Sequence, residues 1–119
     1  MPAARLQKRA RLLKAVEFNR VFDSPVRSSD RYFTVLARPN TQNHPRLGLA
    51  ISKRKVKLAV QRNRLKRLIR ENFRLSKHTV SADYVVMASQ QGARGNNRSL
   101  FESLDKHWQI LKKKCETSC

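Results

Sequence analysis

The sequence predicts a mixed α/β sandwich, an α+β domain with elements in the order α-β-β-(β)-α-β-α. Three observations carry this. A strand, a long helix free of glycine and proline, and a second strand follow one another between Leu47 and Ser89. Apolar residues recur at helical spacing near both ends of the chain. The 119 residues hold no internal repeat and suit one small domain.

The elements follow in order. Residues 1–13 carry Arg5, Lys8, Arg9 and Arg11 without an acid and read as a basic arm rather than a transit peptide, since no cleavage site follows. Its Leu12 and Leu13 are candidates to tuck onto the core. Val16, Phe18, Val21 and Phe22 define a short first helix from Ala15 to Phe22, which Asp23-Ser24-Pro25 stops. Arg31–Arg38 and Leu47–Lys53 are β-rich, and the polar loop between them suggests an antiparallel pair. Alternation puts Phe33, Val35, Ala37, Leu47, Leu49 and Ile51 on one face. Tyr32, Thr34, Leu36, Gly48, Ala50 and Ser52 fall on the other, which is small and partly polar. The long helix covers about Leu58 to Lys77. Asp83–Ser89 is apolar on both faces and therefore central. Gln90–Asn97 reads as a loop, and Leu100, Phe101, Leu104, Trp108 and Leu111 mark a last helix from Arg98 to about Lys114.

Charge dominates the composition. Twenty-seven Lys and Arg against eight Asp and Glu give a formal net charge of +19, which calls for a polyanionic partner, nucleic acid first. The acids are scattered from Glu17 to Glu116, so no converging carboxylates for a two-metal nuclease site are visible. Cys115 and Cys119 are the only cysteines. They read as surface thiols in a frayed tail, with His107 the only nearby histidine, so neither a disulfide framework nor a zinc site is expected. No hydrophobic block follows Met1, and the longest apolar run, Tyr84–Ala88, is too short to span a bilayer, so a soluble cytoplasmic protein is expected.

Between Ser52 and Lys77 stand eleven Lys or Arg against the single acid Glu71. On a helical wheel Leu65, Leu68, Ile69 and Phe73 share the core side. Asn63, Lys66, Arg67, Arg70 and Arg74 lie opposite, flanked by Arg62 and Arg64. The stripe from Asn63 to Arg74 runs roughly 16 Å, enough for several successive phosphates. A face that serves solubility alone mixes signs, because like charges at i,i+3 and i,i+4 destabilise a helix. Arginine's planar fork suits phosphate. Phe18 and Phe22 share a face of the first helix: one is expected in the core and the other, with Phe18 favoured, beside the small sheet face as a stacking platform for an unpaired base. Gly92-Ala-Arg-Gly95 matches the GxxG loop of KH domains, but it follows a strand here and is set aside. Glu102 and Asp105, beside Lys106 and His107, read as surface ion pairing.

At Ala59-Val-Gln-Arg-Asn-Arg-Leu-Lys-Arg-Leu-Ile-Arg70 the sequence closely resembles the protein subunit of bacterial ribonuclease P, and Gly48–Arg54, Asp83-Tyr-Val-Val and the first-helix phenylalanines extend the likeness over nearly the whole chain. Ala50 departs from it, standing where serine or threonine is frequent. The resemblance implies a fold with a left-handed βαβ crossover; the chain itself reads as a basic arm over 1–13, one RNA-binding domain over 14–115 and a tail over 116–119. It implies a ribonucleoprotein that removes the 5′ leader of precursor tRNA, with a catalytic RNA and magnesium ions held mainly by that RNA. It further implies that Lys53, Arg54, Arg62, Asn63, Arg64, Lys66, Arg67, Arg70 and Arg74 meet the catalytic RNA, and that Phe18, Phe22, Tyr32, Thr34, Leu36 and Ser52 line a cleft for the leader. A structural protein of the ribosome is the alternative. A helix-turn-helix protein is opposed by the strands flanking the long helix.

Overall fold

Strand alternation decides the two faces of this fold. The computed structural model describes residues 6–78 and 80–117. Strands β1 (Val26–Ser29), β2 (Phe33–Pro39), β3 (Arg46–Leu49) and β4 (Ala82–Ala88) form one sheet in the order β1-β2-β4-β3. β2 is antiparallel to β1 and to β4, with Phe33 opposite Ala88, whereas β3 runs parallel to β4, with Leu49 opposite Val86. The helices are α1 (Ala15–Asp23), α2 (Ala59–Leu75), α3 (Gln90–Arg94) and α4 (Asn97–Thr117).

Phe33, Val35, Ala37, Leu47, Tyr84 and Val86 join Leu65, Ile69, Phe73, Leu104, Trp108 and Leu111 of α2 and α4 in the main core. Leu36 and Val85 join Val21 and Leu12 in a smaller cluster under α1, with Phe18, Ala50 and Met87 packed against it. The sheet is thus a shared wall, with α2 and α4 on one face and α1 on the other. Asn72, 3% exposed, ties the two large helices by accepting from Trp108 Nε1 at 2.6 Å and donating to Asp105 at 3.0 Å.

The antiparallel pairing of the two predicted strands does not form, because β4 lies between them. Being apolar on both faces, β4 takes the central place, and β3-α2-β4 closes as the expected parallel βαβ unit. β1 escapes the alternation test because Val26 is its one apolar residue. The predicted Leu47–Lys53 strand stops at Leu49, since Ser52 Oγ accepts from Lys55 N at 3.2 Å and turns the chain. The expected loop at Gln90–Asn97 contains α3, capped by Ser89, whose Oγ accepts from Gly92 N at 3.1 Å. A Cβ on Gly92 would stand 2.6 Å from the Tyr32 carbonyl oxygen, so this contact needs glycine.

From residue 6 onward the basic arm packs on the edge of β3. Leu6 and Leu12 are buried and Leu12 N donates to Leu47 O at 2.9 Å, while Leu13 is 55% exposed. Cys115 is not a surface thiol: it faces the core from α4 at 1% exposure, because the last helix continues past Lys114. Cys119 lies outside the described residues. Among the described residues no helix is long and apolar enough to cross a membrane.

Candidate nucleic-acid interface

The basic stripe follows from the amphipathic pattern of α2. Leu65, Leu68, Ile69, Asn72 and Phe73 are buried, Asn63 and Arg67 are exposed, and Lys66, Arg70 and Arg74 are half-buried along the margin. Lys53 and Arg54 project from the turn before the helix. The stripe is not uniform. Arg62 donates to the Val56 and Lys57 carbonyls at 2.8 and 2.9 Å and so fastens that turn to α2. Arg64 donates to the Ala93 and Gly95 carbonyls and to Asn97 Oδ1, joining α2 to the start of α4. The Ala93 and Gly95 carbonyls of this segment therefore hold α2 to the segment before α4. Arg74 pairs with Glu71 at 2.6 Å. Burial, and next the charge of Arg11, hold Arg70 below the usual arginine pKa.

On the opposite face of the sheet a groove of about 570 Å³ runs beside α1. Thr34, Leu36, Ala50 and Met87 line it, Phe22 stands at one side, and Arg27 and Lys55 bring positive charge to it. Of the six residues expected in this cleft, Phe22, Thr34, Leu36 and Ser52 line it, and Phe18 and Tyr32 do not. Phe18 is half-buried against Gly48, and Phe22 is 43% exposed, the reverse of the expected assignment. The helix continues to Asp23, which leaves Phe22 beyond the sheet contact that Phe18 makes. Tyr32 precedes β2, where Asp30 Oδ1 accepts from the Tyr32 and Phe33 amides at 2.8 and 2.9 Å and breaks the alternation. Arg27 was not legible without β1. Met87 follows from the parity of β4.

One end of α1 is locked to the sheet by a buried carboxylate. Asp83, 0% exposed, accepts from Arg46 Nε and a second Arg46 nitrogen at 2.8 Å each, from Arg20 at 3.2 Å and from Asn40 at 2.7 Å. Arg46 also meets Glu17 at 2.8 Å. Glu17 is held below its ordinary pKa chiefly by the Lys14 and Leu13 amides. Asp23, Asp30, Glu71, Glu102 and Asp105 also have partners within the fold, Arg98 for Glu102 and Asn72 for Asp105. His107 is buried between Ser28 and Asp30, with Nδ1 2.6 Å from the Ser28 hydroxyl and Nε2 3.1 Å from Asp30 Oδ2, rather than beside Glu102 or Asp105. No group of three or more His, Cys, Asp or Glu able to hold a metal occurs among the described residues.

The arrangement offers two unlike surfaces. The exposed side of α2 carries guanidinium groups, whose planar fork is suited to phosphate. The groove pairs one exposed aromatic ring with a floor of small and apolar side chains and margins that carry Arg27, Lys55 and one acid, Asp30, an arrangement that suits an extended single strand.

The chain is similar to known proteins over nearly its whole length. The sequence model of the family described as Ribonuclease P matches residues 6–112. A ribonuclease P protein component from Methylococcus capsulatus is 50% identical over 109 residues, covering 91% of this chain and 85% of that protein. Among solved structures, an RNase P protein mutant from Staphylococcus aureus with defective mRNA degradation activity superposes with a TM-score of 0.82 at 33% identity, covering 88% of this chain and 90% of that one. The RNase P protein from Thermotoga maritima superposes with a TM-score of 0.70 at 28% identity, covering 92% and 96%.

Proposed function

This chain belongs to the ribonuclease P protein family, and from that premise we propose that it binds the catalytic RNA through α2 and the 5′ leader of precursor tRNA through the groove beside α1. Ribonuclease P is an endoribonuclease complex, and tRNA processing is the role that the family name carries. In this reading the protein is the helper and the RNA the catalyst. The magnesium ions of the reaction are held mainly by the RNA. The chain's own acids fit that division of labour, because seven of the eight are taken by arginines, asparagine, a hydroxyl or backbone amides of the fold.

The observation that carries the reading is the separation of the two basic surfaces by the sheet. A stripe for phosphates lies on one side, and a groove with an exposed Phe22 lies on the other, so two RNA segments can be held at once. The expected setting is the cytoplasm. The deciding experiment adds the protein to a bacterial ribonuclease P RNA at low magnesium. Restored leader removal, with no cleavage by RNA-free protein at any magnesium concentration, supports the proposal. Absence of any effect on leader removal would instead favour a structural role on another RNA.

A further inference from the structure

A single carboxylate stands in the groove beside α1. Asp30 lines that groove between β1 and β2, and its side chain is 36% exposed. Arg27 and Lys55 line the same groove, yet neither pairs with Asp30 within 4.0 Å. The carboxylate is instead held by the turn and by α4. Oδ1 accepts from the Tyr32 and Phe33 amides at 2.8 and 2.9 Å, and Oδ2 accepts from the Ser103 hydroxyl at 2.5 Å. His107 Nε2 lies 3.1 Å from Oδ2 without forming a hydrogen bond, its ring fixed by the Ser28 hydroxyl 2.6 Å from Nδ1. A carboxylate has about four acceptor sites. Three are taken by these donors, which leaves one for a donor in the groove.

Capping the turn does not by itself require a charge, because Asn or Ser caps the same amides while neutral. Beside the phosphates of an RNA strand a negative charge is repelled. What a fixed carboxylate offers such a strand is an acceptor for N–H donors on base edges, the pairing by which Asp and Glu read the amino group of cytosine. We propose that Asp30 is a specificity-determining residue for the strand in the groove: its remaining acceptor site takes a hydrogen bond from an N–H group of one leader base, so that a base with an exocyclic amino group binds better than a base with no N–H donor. Ser103 and the two amides hold the carboxylate in place before RNA arrives, so the bond costs little ordering. The inference rests on the reading that the groove holds the leader.

The holoenzyme is titrated with two precursor tRNAs, one with a leader of adenosine and one with a leader of purine riboside, which keeps the stacking ring but lacks the amino group. The parent is expected to bind the adenosine leader about tenfold more tightly, the worth of a hydrogen bond to a charged acceptor. Asp30→Asn keeps an oxygen for the turn amides and removes the charge, and Asp30→Ser keeps a capping hydroxyl that does not reach as far. Both should lose the adenosine preference, while affinity for the purine-riboside leader holds or rises because a repulsive charge has gone. The ratio of the two affinities does not depend on the fraction of folded protein, so it stays the measure even for a variant that melts early. A brace for the fold alone would lower both leaders by the same factor. A 2′-hydroxyl is present on both leaders, so acceptance from the ribose would give no preference. Equal affinity of the parent for the two leaders, or a preference that survives in both variants, overturns the assignment. Phe22→Ala is run in the same series against precursor and mature tRNA. If it weakens only the precursor, the groove reading survives that failure; if it does not, both fall.

Discussion

The ring of Phe18 packs against Gly48: a Cβ on that glycine would stand 2.6 Å from Phe18 Cε1 and 3.0 Å from Leu12 Cδ1. This contact sets how closely α1 approaches the sheet, and with it the position of Phe22 one turn further on.

Replacing Gly48 by alanine therefore forces the ring, and α1 with it, away from β3. The expected cost is about 1 to 3 kcal/mol, the range for overpacking a close contact, visible as a lower melting temperature. A melting temperature equal to the parent's would show that α1 is not seated by this contact.

The two phenylalanines should separate cleanly. Phe22→Ala removes an exposed ring, so stability is expected to hold while holoenzyme affinity for precursor tRNA falls by about 1 to 3 kcal/mol of base stacking and affinity for mature tRNA stays constant. Phe18→Ala opens a cavity over Gly48 and should cost up to about 3 kcal/mol of stability. Equal losses for the two tRNAs with Phe22→Ala would remove the leader from this groove.

Arg67 and Arg64, close in sequence, should fail in different assays. Arg67 is exposed, so Arg67→Ala is expected to weaken binding to the catalytic RNA and to lower the salt slope by about 0.7 to 0.9, with no change in melting temperature. Arg64→Ala leaves the Ala93 and Gly95 carbonyls without their donor and should destabilise the chain by about 1 to 3 kcal/mol. Denaturant titration of both variants beside RNA titration checks the split. An Arg64→Ala protein as stable as the parent would refute the brace.

Acidification should weaken the fold in two stages. Burial among Phe73, Tyr84 and Trp108 holds the His78 imidazole below its usual 6.5. The unfolded chain takes that proton more readily, so the His78 contribution is complete above pH 6.5 and is lost as pH falls through the lower folded value. Glu17, held below 4.5 by the Lys14 and Leu13 amides, adds its loss only under more acid conditions. His78→Phe should flatten the stability profile just below pH 6.5 and leave the acid limb in place. An unchanged slope there would assign the first stage to another group.

The sequence by itself determined what is local and periodic. The core and charged faces of α2 followed from spacing, the central place of β4 from its two apolar faces, and the two sheet faces from alternation in β2, because side-chain direction repeats every 3.6 residues in a helix and every two in a strand. The family resemblance, too, was legible in the Arg62–Arg70 motif. Only the tertiary structure decided what depends on distant partners. That β4 separates β2 from β3, that four residues at Val26–Ser29 make an edge strand, that Cys115 is buried, and that Phe22 rather than Phe18 lines the groove are outcomes of pairing and packing across the chain. The same holds for the charges. Arg62, Arg64 and Arg67 look alike in sequence, but two of them are spent on carbonyls of the fold and one is left to solvent, because hydrogen-bond acceptors are assigned by three-dimensional neighbours and not by residue type.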